Sequence, residues 1–309
     1  MRVLDFHCDT MYRLWEAGGD LAKNTYQVDL QQSLLWEAYG QVFALYCGEE
    51  PLSPAQGKEK LNALLQTAEK QFQQNSERLR LCRTAADMEL AQREKKCAAF
   101  LSVEGAELLP DAESLERARQ AGVRIVTLTW NHKNQYGCGA AAGTEGLTEL
   151  GRRFIEKLEE KGMIPDVSHL SEKGFWEVAE LCQKPFVATH SNGKALCPHV
   201  RNLTDEQFLA ICRSGGLVGL NLYTPFLKEG GLASPSDVVR HAEHFAALDG
   251  LEHLALGCDL DGCDQLPDGI YRLQDLQILY EEFLRHNYKE EWVRGIFFDH
   301  LWKFLSKRI

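Results

Sequence analysis

Residues 164–190 read IPDVSHLSEKGFWEVAELCQKPFVATH. Two short apolar runs, Ile164–His169 and Phe186–His190, enclose a stretch, Ser171–Gln183, with the spacing of an amphipathic helix. Strand, helix, strand in that order is the unit of a parallel sheet. Both runs also end in polar side chains, Asp166-Val167-Ser168-His169 and Thr189-His190. Outward from this unit, runs of the same kind occur at Val3–His7, Gln41–Cys47, Ala98–Glu104 and Arg124–Thr129 before it, and at Leu217–Leu222 and Leu254–Asp259 after it. Each is short, rich in Val, Leu, Ile or Ala, and apolar enough to be covered on both faces. Eight such runs alternating with amphipathic stretches predict an α/β fold, a single (β/α)₈ barrel of the TIM type.

The intervening segments support that alternation. Leu61, Leu64, Leu65, Ala68 and Phe72 share one helical face. Thr148 precedes the periodic run LGRRFIEKLEEKG, which stops at Gly162 as a helix should. Further helices are expected over Thr204–Arg213, Ser236–Leu248 and Leu273–His286, with a last aromatic-rich helix near 290–305 that packs on the barrel. The segment Asn24–Tyr39 is long for a loop and is expected to be an insertion, so residues 1–309 are taken as one domain.

Composition narrows the function. With 44% hydrophobic and 26% charged residues the chain has material for a substantial core. A formal charge of −11 without a Lys/Arg-rich run argues against a nucleic-acid surface. No window of about 18 apolar residues is present, so no membrane span is expected. The opening MRVLDFHCDT lacks the pattern of a signal peptide. The ten cysteines are scattered, several inside apolar runs, and none forms a CxxC pair. These features predict a cytoplasmic protein with reduced thiols.

In a parallel barrel the C-terminal ends of all strands meet on one face. That face would gather His7 and Asp9 from the first run, Glu104 from the third, His169 from the fifth, His190 from the sixth and Asp259 from the eighth. Each is weak alone: a strand-end histidine is usually structural, and an acid near a helix start often caps it. Their convergence on one face is the signal. Imidazole nitrogens with carboxylate oxygens suit zinc or another first-row divalent ion. They exceed the needs of one tetrahedral ion, and a central carboxylate would bridge two ions about 3.5–4 Å apart. Asp261, just before Gly262, reads as a turn residue.

At these residues the chain resembles the membrane (renal) dipeptidase family of zinc peptidases, within the amidohydrolase superfamily. The resemblance rests on DFHCDT, VDL, GQVFALY, LSVEGAE, DVSHLS, PFVATHSN, HVRNLTDEQ, GLNLY and HLALGCDLDG, in order over roughly residues 2 to 305. It implies a (β/α)₈ metal-dependent hydrolase with two divalent ions, Zn²⁺ in the family. The substrate it implies is a dipeptide whose peptide bond is cleaved by a metal-activated water, with a D-residue tolerated at the second position. By the same resemblance, His7 and Asp9 bind one ion, Glu104 bridges, and His169 and His190 bind the other. Asp259 works with the water as catalytic partner of Glu104, and Arg201 and Tyr223 hold the substrate's carboxylate. A homodimer is also implied. One departure stands out: the animal enzymes have a substrate-facing histidine where this chain has Trp130, and His132, two residues on, is a candidate replacement from the loop. Two other readings stay open. One is a different amidohydrolase acting on a lactone, amide or phosphoester, although those usually begin with HxH rather than His7-Cys8-Asp9. The other is a metal-binding barrel without turnover.

Overall fold

The computed structural model describes residues 1–34 and 36–309. Among the described residues there are eight strands: β1 (Arg2–Cys8), β2 (Ala38–Tyr46), β3 (Leu79–Leu81), β4 (Cys97–Glu104), β5 (Val123–Thr127), β6 (Ile164–Asp166), β7 (Val218–Leu220) and β8 (Leu254–Leu256). Every pairing is parallel, in the order β6-β5-β4-β2-β1-β8-β7, with β3 joined to β4 beside this path. The result is a curled parallel sheet with helices packed around it. No helix among the described residues is long and apolar enough to cross a membrane.

Seven of the eight expected runs contain a strand, and the sixth is corrected. Phe186–His190 forms no strand of its own. It makes one isolated parallel bridge on each side, Asp166 with Val187 and Ala188 with Val218. Its backbone is wedged inward, where a Cβ on Gly219 or Gly257 would stand 1.9 or 2.0 Å from the Thr189 carbonyl oxygen. Glycine at both positions is what admits the segment. The expected runs at Ile164–His169 and Leu254–Asp259 also stop early, at Asp166 and Leu256, so His169 and Asp259 stand on the loops beyond. β3 was not foreseen: it has three residues, two of them half-buried, and no apolar run to announce it.

The two-residue period of a strand sorts side chains into two cores. Leu4, Phe6, Val42, Ala98, Phe100, Ile125, Ile164, Val187 and Ala255 form an inner layer with Phe298, Leu301 and Leu305 from the chain's end. Val3, Leu45, Leu101, Val103, Val126, Val218 and Leu256 face outward to the helices. Each large side chain removed from water in either layer contributes about 1.5–3 kcal/mol. The inner row of β4 therefore runs Ala98, Phe100, Ser102, Glu104, hydrocarbon first and carboxylate last.

Helices start where capping residues allow. Ser53 and Gln56 form a capping box ahead of Pro54–Gln74, whose buried face holds Leu61, Leu64, Leu65, Ala68 and Phe72. Thr148, Ser171 and Thr204 cap Glu149–Glu160, Glu172–Leu181 and Asp205–Ser214. Helices at Pro235–Ala247 and Leu276–Arg285 complete the expected set. The C-terminal segment is Glu290–Arg294, a π-helical turn Gly295–Asp299 and His300–Arg308. It closes the inner layer at the strands' N-terminal end, where the Arg2 guanidinium lies 4.1 Å from the Phe298 ring and 2.6 Å from Asp299. Within the expected insertion 24–39, Leu35 lies outside the described residues. The rest is turns up to the start of β2, fastened by backbone bonds such as Leu30 N–H to Leu21 O at 2.9 Å.

Candidate metal centre

At the C-terminal end of the strands the inner layer changes from hydrocarbon to charge. Strict alternation would put Phe6 and Cys8 on one face of β1. Instead Phe6 is in the inner core and Cys8 in the outer one, and the β1–β2 register shifts between Asp5 and Cys8. This bulge lets Phe6 seal the floor while the next residue, His7, also turns inward. His7 Nε2 stands 3.5 Å from Glu104 Oε2, 3.7 Å from Asp9 Oδ2 and 3.8 Å from Asp259 Oδ1. The other oxygen of Glu104, Oε1, is 2.9 Å from His169 Nε2 and 3.5 Å from His190 Nε2. Glu104 thus sits between two groups of donors, one oxygen turned to each.

The two imidazoles on the second side are held as bare ligands. His190 Nδ1 is 2.8 Å from the Thr189 hydroxyl, which itself donates to Asp166 Oδ2 at 2.6 Å. The hydroxyl hydrogen is spent on the carboxylate, so Nδ1–H of His190 donates to Thr189 and Nε2 is left with its lone pair. Asp166 is fixed in turn by Thr127 and by the amides of Ser168 and Thr189. It is therefore a support beneath the site. His169 Nδ1 bonds Asn131 Oδ1 at 2.8 Å, which likewise frees its Nε2. The two Nε2 atoms are 2.8 Å apart. Two buried lone pairs face each other there, with a carboxylate oxygen alongside, and only a cation satisfies all three. Burial holds both rings well below the usual histidine range, and so neutral.

The first side shows the same need. Both ring nitrogens of His7 and Asp9 Oδ1 are buried without a hydrogen-bond partner. Burial opposes a charge on His7, but Glu104 and Asp9 outweigh it and raise its pKa. Burial pushes the Glu104 carboxyl up to about 7 and that of Asp259 up to about 6, with His7 pulling each down. Carboxylates in this state are short of positive charge, which a divalent ion would supply. Gly262 makes room for the convergence: a Cβ there would lie 2.2 Å from Asp9 Oδ2 and 2.4 Å from Asp259 Oδ1.

Backbone strain is concentrated at the same point. His169, Asp259 and Asp261 have φ of +66°, +59° and +69°. Such conformations cost about 1–3 kcal/mol each and persist where the surroundings over-determine them. Asp261 earns its place as a tie: its carboxylate accepts from Thr10 Oγ1 at 2.6 Å and Gln27 N at 2.7 Å, in accord with a turn role. Asp259 keeps Oδ1 toward His7 while Oδ2 accepts from Asn221 Nδ2 at 3.0 Å. Asn221 is locked by Asn192, and Asn192 by Asn202, a buried amide ladder across two loops. Sequence reasoning missed Asn131, Asn192, Asn202 and Asn221. The one available hint was their place one or two residues beyond apolar runs or within the quoted motifs.

A cavity of about 780 Å³ opens above these groups, lined among others by Asp9, Tyr46, Glu104, Trp130, His169, Tyr223 and Asp259. Trp130 faces it, its ring 5.5 Å from Tyr46 and 6.0 Å from His169. His132 does not: its Nε2 bonds the buried carboxylate of Glu107 and its Nδ1 the backbone oxygen of Glu49, which removes it as a stand-in for the family's histidine. Arg201 lies just behind the wall, 5% exposed, its guanidinium 5.4 Å from the ring of Phe226. One N–H reaches His190 O at 3.4 Å, and Nε is buried without an acceptor. Burial pushes its pKa down to about 10, against the pull of Asp259 and Glu104.

A curled parallel sheet with paired imidazoles and carboxylates at the mouth defines a class, the metal-dependent α/β hydrolases. Within it, the chain belongs to the membrane dipeptidase family, peptidase family M19, whose pattern matches residues 1–307. It is a metallopeptidase of the dipeptidase type. A metallopeptidase from Rhodobacter sphaeroides, solved with a phosphinate mimic of the dipeptide L-Ala-D-Ala, superposes with a TM-score of 0.91 at 28% identity, covering 100% of this chain and 99% of that one. Dipeptidase AC, a metallopeptidase of family M19, gives 0.90 at 30% identity, with 100% and 98% covered. An uncharacterized protein in the pqqA 5′ region of Klebsiella pneumoniae is 40% identical over 203 residues, 62% of this chain and 74% of that protein. In two further curated relatives the match spans 54% and 47% of their length.

Proposed function

We propose that this protein is a binuclear zinc dipeptidase acting on free dipeptides, with a D-residue tolerated at the second position. The observation that carries the reading is the orientation of Glu104, one oxygen toward His7 and the other toward His169 and His190. In it His7 and Asp9 hold one ion, His169 and His190 the second, and Glu104 joins them. Bound there, the ions supply positive charge that eases deprotonation of the attacking water and polarises the scissile carbonyl. The protein's residues supply the rest. Asp259, with Oδ2 held by Asn221, takes the water's proton on Oδ1 and delivers it to the leaving amine. Arg201, a buried guanidinium whose Nε lacks an acceptor, attracts the substrate's free carboxylate, and Tyr223 lines the cavity against the Phe226 ring that Arg201 also approaches. Trp130 lines the cavity beside Tyr46 and His169, offering an indole N–H and an apolar face where the animal enzymes offer a histidine. The phosphinate dipeptide mimic held by the R. sphaeroides relative supports tolerance of a D-residue.

The bridges on either side of Val187 and Ala188 support a ring of eight segments, the full (β/α)₈ barrel as one domain. The ten free thiols suit a reducing compartment, the cytoplasm.

The test is hydrolysis of a dipeptide panel, L,L and L,D, by zinc-loaded protein. Release of amino acids from both sets, abolished by Glu104→Gln, is expected. Failure on every dipeptide with metal shown to be bound overturns the reading.

A further inference from the structure

A second convergence of donors lies beside the metal centre, at the end of β2. Cys47 Sγ, a Glu107 carboxylate oxygen and a His132 ring nitrogen all lie within 4.8 Å of one another. They come from three separate elements, and the Cys47 and Glu107 side chains are buried. The space is made by Gly105, at φ +90°, where a Cβ would stand 2.3 Å from Cys47 Sγ.

The hydrogen bonds fix what each donor presents. His132 Nδ1 faces the Glu49 backbone oxygen at 3.1 Å. A carbonyl only accepts, so Nδ1 carries a hydrogen, and Nε2 is the nitrogen turned toward Glu107 Oε1. Glu107 Oε2 is taken by the Asn134 amide at 2.7 Å. Nε2 and the carboxylate oxygen are therefore joined by a shared proton, the position a metal ion would take over. With a proton there Cys47 stays a thiol, beside Glu107 and bonded to its neighbour's carbonyl, Gly48 O, at 3.3 Å. A divalent metal engages all three. Ligating histidines almost always donate their other N–H to a carbonyl or carboxylate, and that partner is already in place. One thiolate and one carboxylate balance a charge of +2 around an imidazole, with the thiol proton and the proton shared by His132 and Glu107 released to solvent. Sulfur, nitrogen and oxygen donors together suit zinc. Cys47, Gly48 and Glu49 border the cavity, which provides the path in.

We propose that Cys47, Glu107 and His132 form a zinc-type cation site distinct from the centre at Glu104, its remaining position open to the cavity. An ion there ties the end of β2 to the loop that carries Trp130 and Asn131.

Cobalt(II) titration of the full chain tests this, since no residue assigned to the Glu104 centre brings sulfur. Wild type should show a thiolate-to-cobalt charge-transfer band in the near ultraviolet. It should also bind one equivalent more cobalt than Cys47→Ser or His132→Gln, both lacking the band. Circular dichroism checks that each variant is folded, and His132→Gln serves if Cys47→Ser is not. Absence of the band in saturated wild type, or equal cobalt content and an unchanged band in a folded variant, overturns the proposal. Neither readout depends on peptidase activity.

Discussion

Asp259 stands in a left-handed conformation that aspartate rarely adopts, with one oxygen pinned by Asn221 and the other aimed at the metal centre. Replacing it with asparagine keeps the shape and the hydrogen bond but removes the proton acceptor. Asp259→Asn should lower kcat by about 10²–10⁴ while leaving zinc content within reach of wild type, as steady-state kinetics with elemental analysis will show. Arg201 predicts a different signature. A charge-assisted hydrogen bond is worth about 1.5–3 kcal/mol, so Arg201→Met should raise KM for dipeptides about 10–100-fold with a smaller change in kcat. Wild type should discriminate against dipeptide amides to the same degree, and an unchanged KM would remove Arg201 from the carboxylate site. These residues of the site were legible in the sequence because each is a polar residue ending an apolar run: His7, Glu104, His169, His190 and Asp259. Their supports were not. Asn131 and Asn221 matter only through partners 38 residues away in each case, His169 and Asp259, and a local pattern carries no trace of such a pairing. His132 was readable only as a histidine near the right place, until the buried Glu107 carboxylate drew it off.

Elements deliver these side chains through irregularities more than through regular strand. The bulge in β1 turns His7 inward, and the loop after β8 doubles back on positive φ at Asp259 and Asp261 so that Gly262 passes between two carboxylates. Gly262→Ala puts a methyl group about where Asp9 Oδ2 and Asp259 Oδ1 now lie. It should cut zinc content and activity by at least tenfold while the far-ultraviolet circular dichroism stays native. Normal zinc content in this variant would show that the loop has slack the geometry denies. Strand existence was legible because burial on both faces forces a continuous apolar run, as in Cys97–Glu104. Strand ends were not, since His169, His190 and Asp259 continue the run in sequence after leaving the ladder. The 186–190 segment shows the same effect: Phe186, Val187 and Ala188 are buried like a strand, but Gly219 and Gly257 let it sink inward and it makes only single bridges.

The whole molecule sets an apolar floor beneath a charged mouth, and the charges there are balanced only with cations present. Metal binding should therefore stabilise the fold. With free zinc near a thousand times Kd, one site contributes about 4 kcal/mol, so chelation should lower Tm by on the order of 5–10 °C, measurable by scanning calorimetry. The protons released on binding follow from the same charges. Glu104, at about 7, is mostly protonated at pH 6 and mostly ionised at pH 8, and Asp259, at about 6, is half protonated at the lower pH. His7, whose pKa is raised, holds a proton that an ion displaces, and His169 and His190, lowered, hold none. Zinc binding should thus release about one more proton at pH 6 than at pH 8, with affinity weakening as pH falls through that window. Calorimetry in two buffers of different ionisation enthalpy counts those protons. The assembly of distant residues around Glu104 is tested most directly by anomalous X-ray scattering at the zinc edge from zinc-loaded crystals. Two peaks about 3.5–4 Å apart, flanking the Glu104 carboxylate, are predicted. A map with no zinc within about 2.2 Å of a Glu104 oxygen would contradict it.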